Sequence, residues 1–181
     1  MTTADAVRRV ALPLPRSYEV QVRGRWKFRV GSIVYVAFSG DELTMGFGFP
    51  KAERDGLIAS DPATFFLPPT SDLRYQWVCA HLPRLDGDEM RELVTDAWRM
   101  CTPQMLHDLP DLPEPAMAAY RFLDQGEYGE LRVLLHPYVQ FTDGAVSLRG
   151  RTAVLNWMRE NRVKPPTDVE VRDGQVYRWV R

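Results

Sequence analysis

WKFRVGSIVYVAFSGDELTMGF, residues 26 to 47, holds three runs rich in β-branched and aromatic side chains, Trp26–Val30, Ile33–Phe38 and Leu43–Phe47. Gly31-Ser32 separates the first two and Ser39-Gly40-Asp41-Glu42 the last two. Runs of this composition broken by turn residues predict an antiparallel meander, with glycine taking the positive φ that a two-residue hairpin turn needs. The Gly46-Phe47-Gly48 piece is a strand end rather than a nucleotide fingerprint, because it lacks the third glycine and precedes Pro50.

Working outward, Lys51–Ala59 after Pro50 predicts a short helix carrying Leu57 and Ile58, and Trp77–His81 a further strand. The clearest helix follows Asp86-Gly87 and places Met90, Leu93, Val94, Ala97 and Cys101 on one face, with Trp98 on its flank. Strands followed by helices that cover one sheet face make an α+β arrangement. Thr102–Pro115 contains Pro103, Pro110, Pro113 and Pro115, a density that excludes a long helix or central strand and reads as a Pro-rich linker. The expected organisation is therefore a domain over 1–101, a linker over 102–115 and a segment over 116–181. In the last segment the expected elements are helices at Ala116–Gln125, Tyr128–Leu135 and Thr152–Glu160. A strand is expected at Tyr138–Thr142, and Asp173-Gly174 marks a hairpin between Val169–Arg172 and Gln175–Val180.

The 181 residues include 23 basic and 24 acidic side chains, a formal net charge of −1, so the protein is no polycation. Divided at residue 112, the first part carries −2 and the rest +1. No run approaches the roughly 18 apolar residues of a membrane span, and no secretory signal is expected. Cys79 and Cys101 form no CxxC pattern, which makes a reduced cytoplasmic setting the simplest expectation, without disulfide framework, metal or cofactor. His81, His107 and His136 have no partners at ligand spacing. His136 and Asp143 are the one pair in the last segment resembling an acid–base set, but both flank a predicted strand and Asp143-Gly144 has ordinary turn chemistry. With no nucleophile motif or phosphate-cradling loop, we expect no enzyme.

Arg23, Arg25, Lys27 and Arg29 have the spacing that puts alternate side chains on one strand face, with Val22, Trp26, Phe28 and Val30 on the other. Such a row could grip phosphates, or be an ordinary solvated strand surface. A two-residue Gly31-Ser32 turn would set Arg29 opposite Val34 and Lys27 opposite Val36. Arg8, Arg9 and Arg16 could extend the basic stripe.

Residues 8 to 101 resemble the MmcQ/YjbR family of small bacterial proteins, on an ordered series of pieces: RRVALPLPRSYE, GRWKFRVGSIVYVAF, ERDGLIASDPATFFLPP and WVCAHLPRLDGDEMRELVTDAWRMC. The resemblance implies an antiparallel sheet with helices on one side and a DNA-binding role. The segment from about 116 resembles a shortened SnoaL-like, nuclear transport factor 2-like domain, on AAYRFLDQGEYGELRVLLHPYVQFTDG, LRGRTAVLNWMRE and VEVRDGQVYRWVR. That likeness implies a small α+β cone.

The leading expectation is a non-enzymatic regulatory protein that binds duplex DNA by its backbone through Arg23, Arg25, Lys27 and Arg29. The alternative is a module for a small molecule or protein partner, with a pocket lined by Tyr120, Phe141, Trp157 and Trp179. Trp179, if exposed at the end of its hairpin, could instead serve a dimer surface. A homodimeric scaffold resembling a secretion chaperone is the third possibility.

Overall fold

The computed structural model describes all residues from Met1 to Arg181, which divide into two units, Met1–Pro103 and Gln104–Arg181. Both are α+β. Helix α1 (Ala4–Ala11) opens the first unit, capped by Thr3, whose Oγ1 accepts from the Ala6 N–H. Its buried side chains are only Ala4, Val7 and Ala11, too small a stripe to announce a helix in the sequence. Strands β1 (Ser17–Val22), β2 (Arg25–Val30), β3 (Ile33–Phe38) and β4 (Thr44–Gly48) follow as successive antiparallel neighbours. After α2 (Arg54–Ser60) the chain returns through the two-residue β5 (Phe65–Phe66) to β6 (Trp77–His81), giving the order β1-β2-β3-β4-β6-β5. Helix α3 (Gly87–Arg99) then packs beside α1 and against β3 and β4.

The expected meander is present, but it begins one strand earlier. β1 pairs with all of β2, and Arg23-Gly24, both at positive φ (53° and 74°), makes the connecting turn. Arg23 is thus a turn residue and does not share the strand with Arg25. A second correction concerns β3. Arg29 lies opposite Val34 as expected, but Lys27 lies opposite Ala37 and Phe28 opposite Val36, so Tyr35 is an extra residue in a β-bulge. Tyr35 and Val36 are adjacent in sequence and both fully buried, which strict alternation on a one-sided sheet does not permit. Ser17 Oγ lies 2.6 Å from the Tyr35 hydroxyl, and burial pushes that phenol well above its ordinary range.

Helix α3 buries Met90, Leu93, Val94 and Ala97 as its periodicity requires. Cys101 lies past the helix end, and Trp98 is not on the flank: it is fully buried, and its Nε1 donates to the Pro15 carbonyl at 2.9 Å. An indole in the core needs such a partner, and this one ties α3 to the segment entering β1. Asp86 caps α3 by accepting from the Asp88 and Glu89 N–H groups, which holds its carboxyl below the ordinary range.

In the second unit the proline-rich segment is folded into short helical turns at Gln104–Leu106 and Leu109–Asp111, with Leu106 and Leu109 buried. The second of these turns packs on α4 (Glu114–Gln125). Gly126 at φ 74° ends α4 and α5 (Tyr128–Leu134) follows. β7 (Leu135–Asp143) begins earlier than expected, so His136-Pro137 lies within the strand rather than at a helix exit. β8 (Val146–Arg149), which no sequence signal marked, pairs with β7 across Gly144-Ala145. Helix α6 (Arg151–Glu160) precedes the expected hairpin of β9 (Asp168–Arg172) and β10 (Gln175–Val180). The sheet order is β8-β7-β10-β9, with β10 parallel to β7.

One close approach tests the first sheet. A Cβ at Gly46 would run into the Trp77 indole, which lies across the glycine from the neighbouring strand. Gly46→Ala should cost about 2 kcal/mol through overpacking. Urea denaturation should show that loss in the wild-type background and much less of it in a Trp77→Leu background, since the two residues share one space.

Candidate nucleic-acid interface

Phe28 is fully buried against the rings of Tyr35 and Phe38, whose centroids lie 6.3 and 6.0 Å away. Burying a phenylalanine is worth roughly 1.5–3 kcal/mol, enough to choose which face of β2 meets the core. Side chains alternate along a strand, so Arg25, Lys27 and Arg29 point to the opposite, outer face. The β1 pairing adds Val22 opposite Arg25, Val20 opposite Lys27 and Tyr18 opposite Arg29; Val34 and Ala37 continue the rows on β3.

The outer face therefore carries three cations about 7 Å apart along one strand, flanked by short aliphatic groups and by Tyr18, which is 42% exposed. Arg23 extends the series at the exposed hairpin turn. None of Arg23, Arg25, Lys27 and Arg29 makes an ion pair, and the Arg29 Nε is covered without a hydrogen-bond partner. Val22, expected on the face opposite the cations, lies across from Arg25 on their own face because the chain reverses at Arg23-Gly24. Tyr18 and Val20 were not singled out in the sequence, although the period-2 alternation in SYEVQV was the available signal.

The N-terminal arginines do not extend this face. Arg8 belongs to α1 on the helical side, where its guanidinium meets Glu42 through a two-bond fork at 2.8 and 3.0 Å, Glu19 at 2.8 Å and Asp5 at 3.0 Å. It also lies over the rings of Trp26 and Phe38. Glu42 stands at φ 56° in the β3–β4 turn, a conformation that costs a non-glycine residue roughly 1 kcal/mol and that the fork offsets. Arg16, at φ 62°, precedes β1 and has a partner of its own.

The chain segment that forms the first unit agrees with a family comparison. Residues 12–100 match the YjbR family. A crystal structure of a Deinococcus radiodurans protein described by its DUF419 domain matches with a TM-score of 0.52 and 19% identity. The match covers 63% of this chain and 91% of that one, and at this identity the likeness is one of fold. No curated protein matches the chain.

Outside the outer face of the YjbR-like unit, the other candidate residues are dispersed. His136 and Asp143 sit at opposite ends of β7 and do not meet. His136 Nδ1 accepts from the Tyr138 N–H and its Nε2 lies 3.9 Å from Asp173, while Asp143 pairs with Arg181 at 3.4 Å. His81 stacks on Phe66 at 4.5 Å, and His107 is half-buried. No three His, Cys, Asp or Glu side chains gather where a metal ion could be held. Burial pushes the Cys79 thiol up to about 11 and raises that of Cys101, opposite to what a nucleophile needs.

Tyr120, Phe141 and Trp179 are buried core of the second unit and Trp157 is half-buried. Tyr120 touches Trp179, and Phe141 touches Trp157, with ring centroids at 6.4 and 4.9 Å. The expectation of an exposed Trp179 is corrected: β10 lies inside its sheet between β7 and β9, so the ring has no open edge to face.

The Arg8 cluster has a definite pH signature. The Arg8 fork holds the Glu42 carboxyl below its ordinary value near 4.5. A depressed folded-state pKa contributes stability above the unfolded value, and that contribution disappears as the pH falls through the folded one. Arg8→Met should destabilise the YjbR-like unit by about 2 kcal/mol at pH 7. In urea titrations the gap between wild type and variant should narrow on going from pH 7 to pH 3.

Proposed function

We propose that the YjbR-like unit is a non-enzymatic nucleic-acid-binding module that holds the phosphate backbone on the outer face of β1–β3, with regulation as the broad role. The observation that carries this reading is a row of cations without ion pairs along one hairpin. Residues 1–103 contain 13 basic and 13 acidic side chains, a net charge of zero. Yet Arg8 on the helical side is neutralised by three carboxylates, whereas Arg23, Arg25, Lys27 and Arg29 remain unpaired on one side of one hairpin. A neutral unit arranged in this way presents a local positive strip to a polyanion, and arginine's fork suits phosphate oxygens. A flat face with no protruding helix offers no element to enter the major groove, so the contacts favoured are to backbone rather than base edges.

No helix is long and apolar enough to cross a membrane. For the second unit, the order helix, helix, hairpin, helix, hairpin supports the SnoaL-like reading.

Three engaged phosphates give a log–log salt slope of about −3, and Arg23 adds at most one more. Electrophoretic mobility shift or anisotropy titrations at two salt concentrations, with duplex and single-stranded oligonucleotides of one sequence, test the reading. The Arg25→Glu, Lys27→Glu, Arg29→Glu triple variant should bind neither form measurably, while a control variant at exposed Arg91 of α3 should keep wild-type affinity. Absence of binding to both forms by the wild type at low salt, or an unchanged slope in the triple variant, would overturn the assignment.

A further inference from the structure

The second unit contains an open groove of about 460 Å³ lined by Arg132, Pro137, Arg149, Gly150, Arg151, Thr152 and Ala153. Three arginines and no carboxylate line it, although residues 104–181 hold 11 acidic against 10 basic side chains. The arginines come from three elements: Arg132 from the last turn of α5, Arg149 from the end of β8, and Arg151 from the first position of α6. Arg151 is oriented by its Nε, which donates to the Leu135 carbonyl at 2.7 Å. None of the three forms an ion pair.

Two features make this groove costly for the protein alone. Three like charges line one open groove, Arg151 half-buried and Arg132 and Arg149 exposed, and a concave surface of one sign focuses its field. Two of them, Arg149 and Arg151, also flank the start of a helix, the end whose dipole disfavours cations. The usual compensations are missing there. Gly150, at φ 88°, occupies the capping position and supplies no side-chain acceptor, and the first turn of α6 has no acidic residue. Its own N–H is committed to the Val139 carbonyl at 2.8 Å, and the first intrahelical bond runs from Val154, so Arg151, Thr152 and Ala153, which line the groove, have N–H groups without a helical acceptor. Three arginines without ion pairs line this groove, and the free amides add acceptor-seeking groups at the same place.

From this geometry we infer that the groove between α5, β8 and α6 is a binding site for a small molecule bearing a phosphate monoester. A phosphate accepts forked bonds from more than one guanidinium and leaves oxygens for main-chain amides. The volume suits a small molecule rather than a bare ion. This site is independent of the nucleic-acid reading, since its residues belong wholly to the second unit.

Isothermal titration of the full chain at low ionic strength, with inorganic phosphate, AMP and citrate as probes, tests it. The expected result is saturable binding of one AMP per chain, weaker binding of inorganic phosphate, and a loss of about tenfold in affinity for Arg132→Ala and for Arg149→Ala. Arg149→Lys should fall between, because it keeps the charge and loses the fork. Arg162→Ala and the Arg25, Lys27, Arg29 triple variant should bind AMP as the wild type does, and circular dichroism melts confirm that every variant is folded. The inference is overturned by the absence of saturable binding of AMP, by citrate binding more tightly than AMP, or by folded Arg132 and Arg149 variants with wild-type affinity. Loss of AMP binding in the triple variant would overturn it as well, by placing the phosphate on the outer face of the first unit.

Discussion

The burial of Phe28 is the constraint on which the arrangement of the first unit depends. With its ring held between Tyr35 and Phe38, one face of β2 belongs to the core and the other does not. A shift of one residue would bury Lys27 and Arg29 and expose Phe28, a change that charge desolvation forbids. The same alternation sends Glu19 of β1 to the helical side, where Arg8 waits, and Tyr18, Val20 and Val22 to the outer side. Core packing and surface chemistry are thus two consequences of a single register.

Charge in this unit is sorted rather than accumulated. On the helical side Arg8 joins α1 to β1 and to the β3–β4 turn through three carboxylates, which leave the cluster no positive charge to offer an anion. On the outer side the cations have no such partners, because the residues opposite them are Tyr18, Val20, Val22, Val34 and Ala37. The β-bulge at Tyr35 contributes by setting Ala37, rather than the bulkier Val36, beside Lys27. In the second unit the acidic residues outnumber the basic ones, yet three arginines and no acid line the groove between α5, β8 and α6.

Much of this was legible in the chain. The turn residues Gly31-Ser32 and Asp173-Gly174 marked their hairpins, the helical stripe from Met90 to Ala97 marked α3, and the alternation from Arg25 to Arg29 put three cations on one face. What escaped were elements with weak local signals. α1 buries only small side chains, and β8 is four half-exposed or exposed residues. Arg23 shared the period of the strand cations although the chain reverses there, because Arg-Gly is a less conspicuous turn pair than Asn-Gly or Asp-Gly. The prolines of residues 102–115 forbade long elements, as read, but not the short helical turns that bury Leu106 and Leu109.

By itself the sequence determined the α+β class, the meander, the main helices and the alternation that separates Phe28 from its charged neighbours, because these follow from local propensity and from periods of 2 and 3.6 residues. Only the tertiary structure decided which cations are neutralised and which stay free. Pairing depends on contacts between residues far apart in the chain, such as Arg8 with Glu19 and with Glu42. It also decided that Trp179 and Tyr120 fill a core while Arg132, Arg149 and Arg151 share a groove, since strand order and helix placement bring those groups together and no local pattern encodes them.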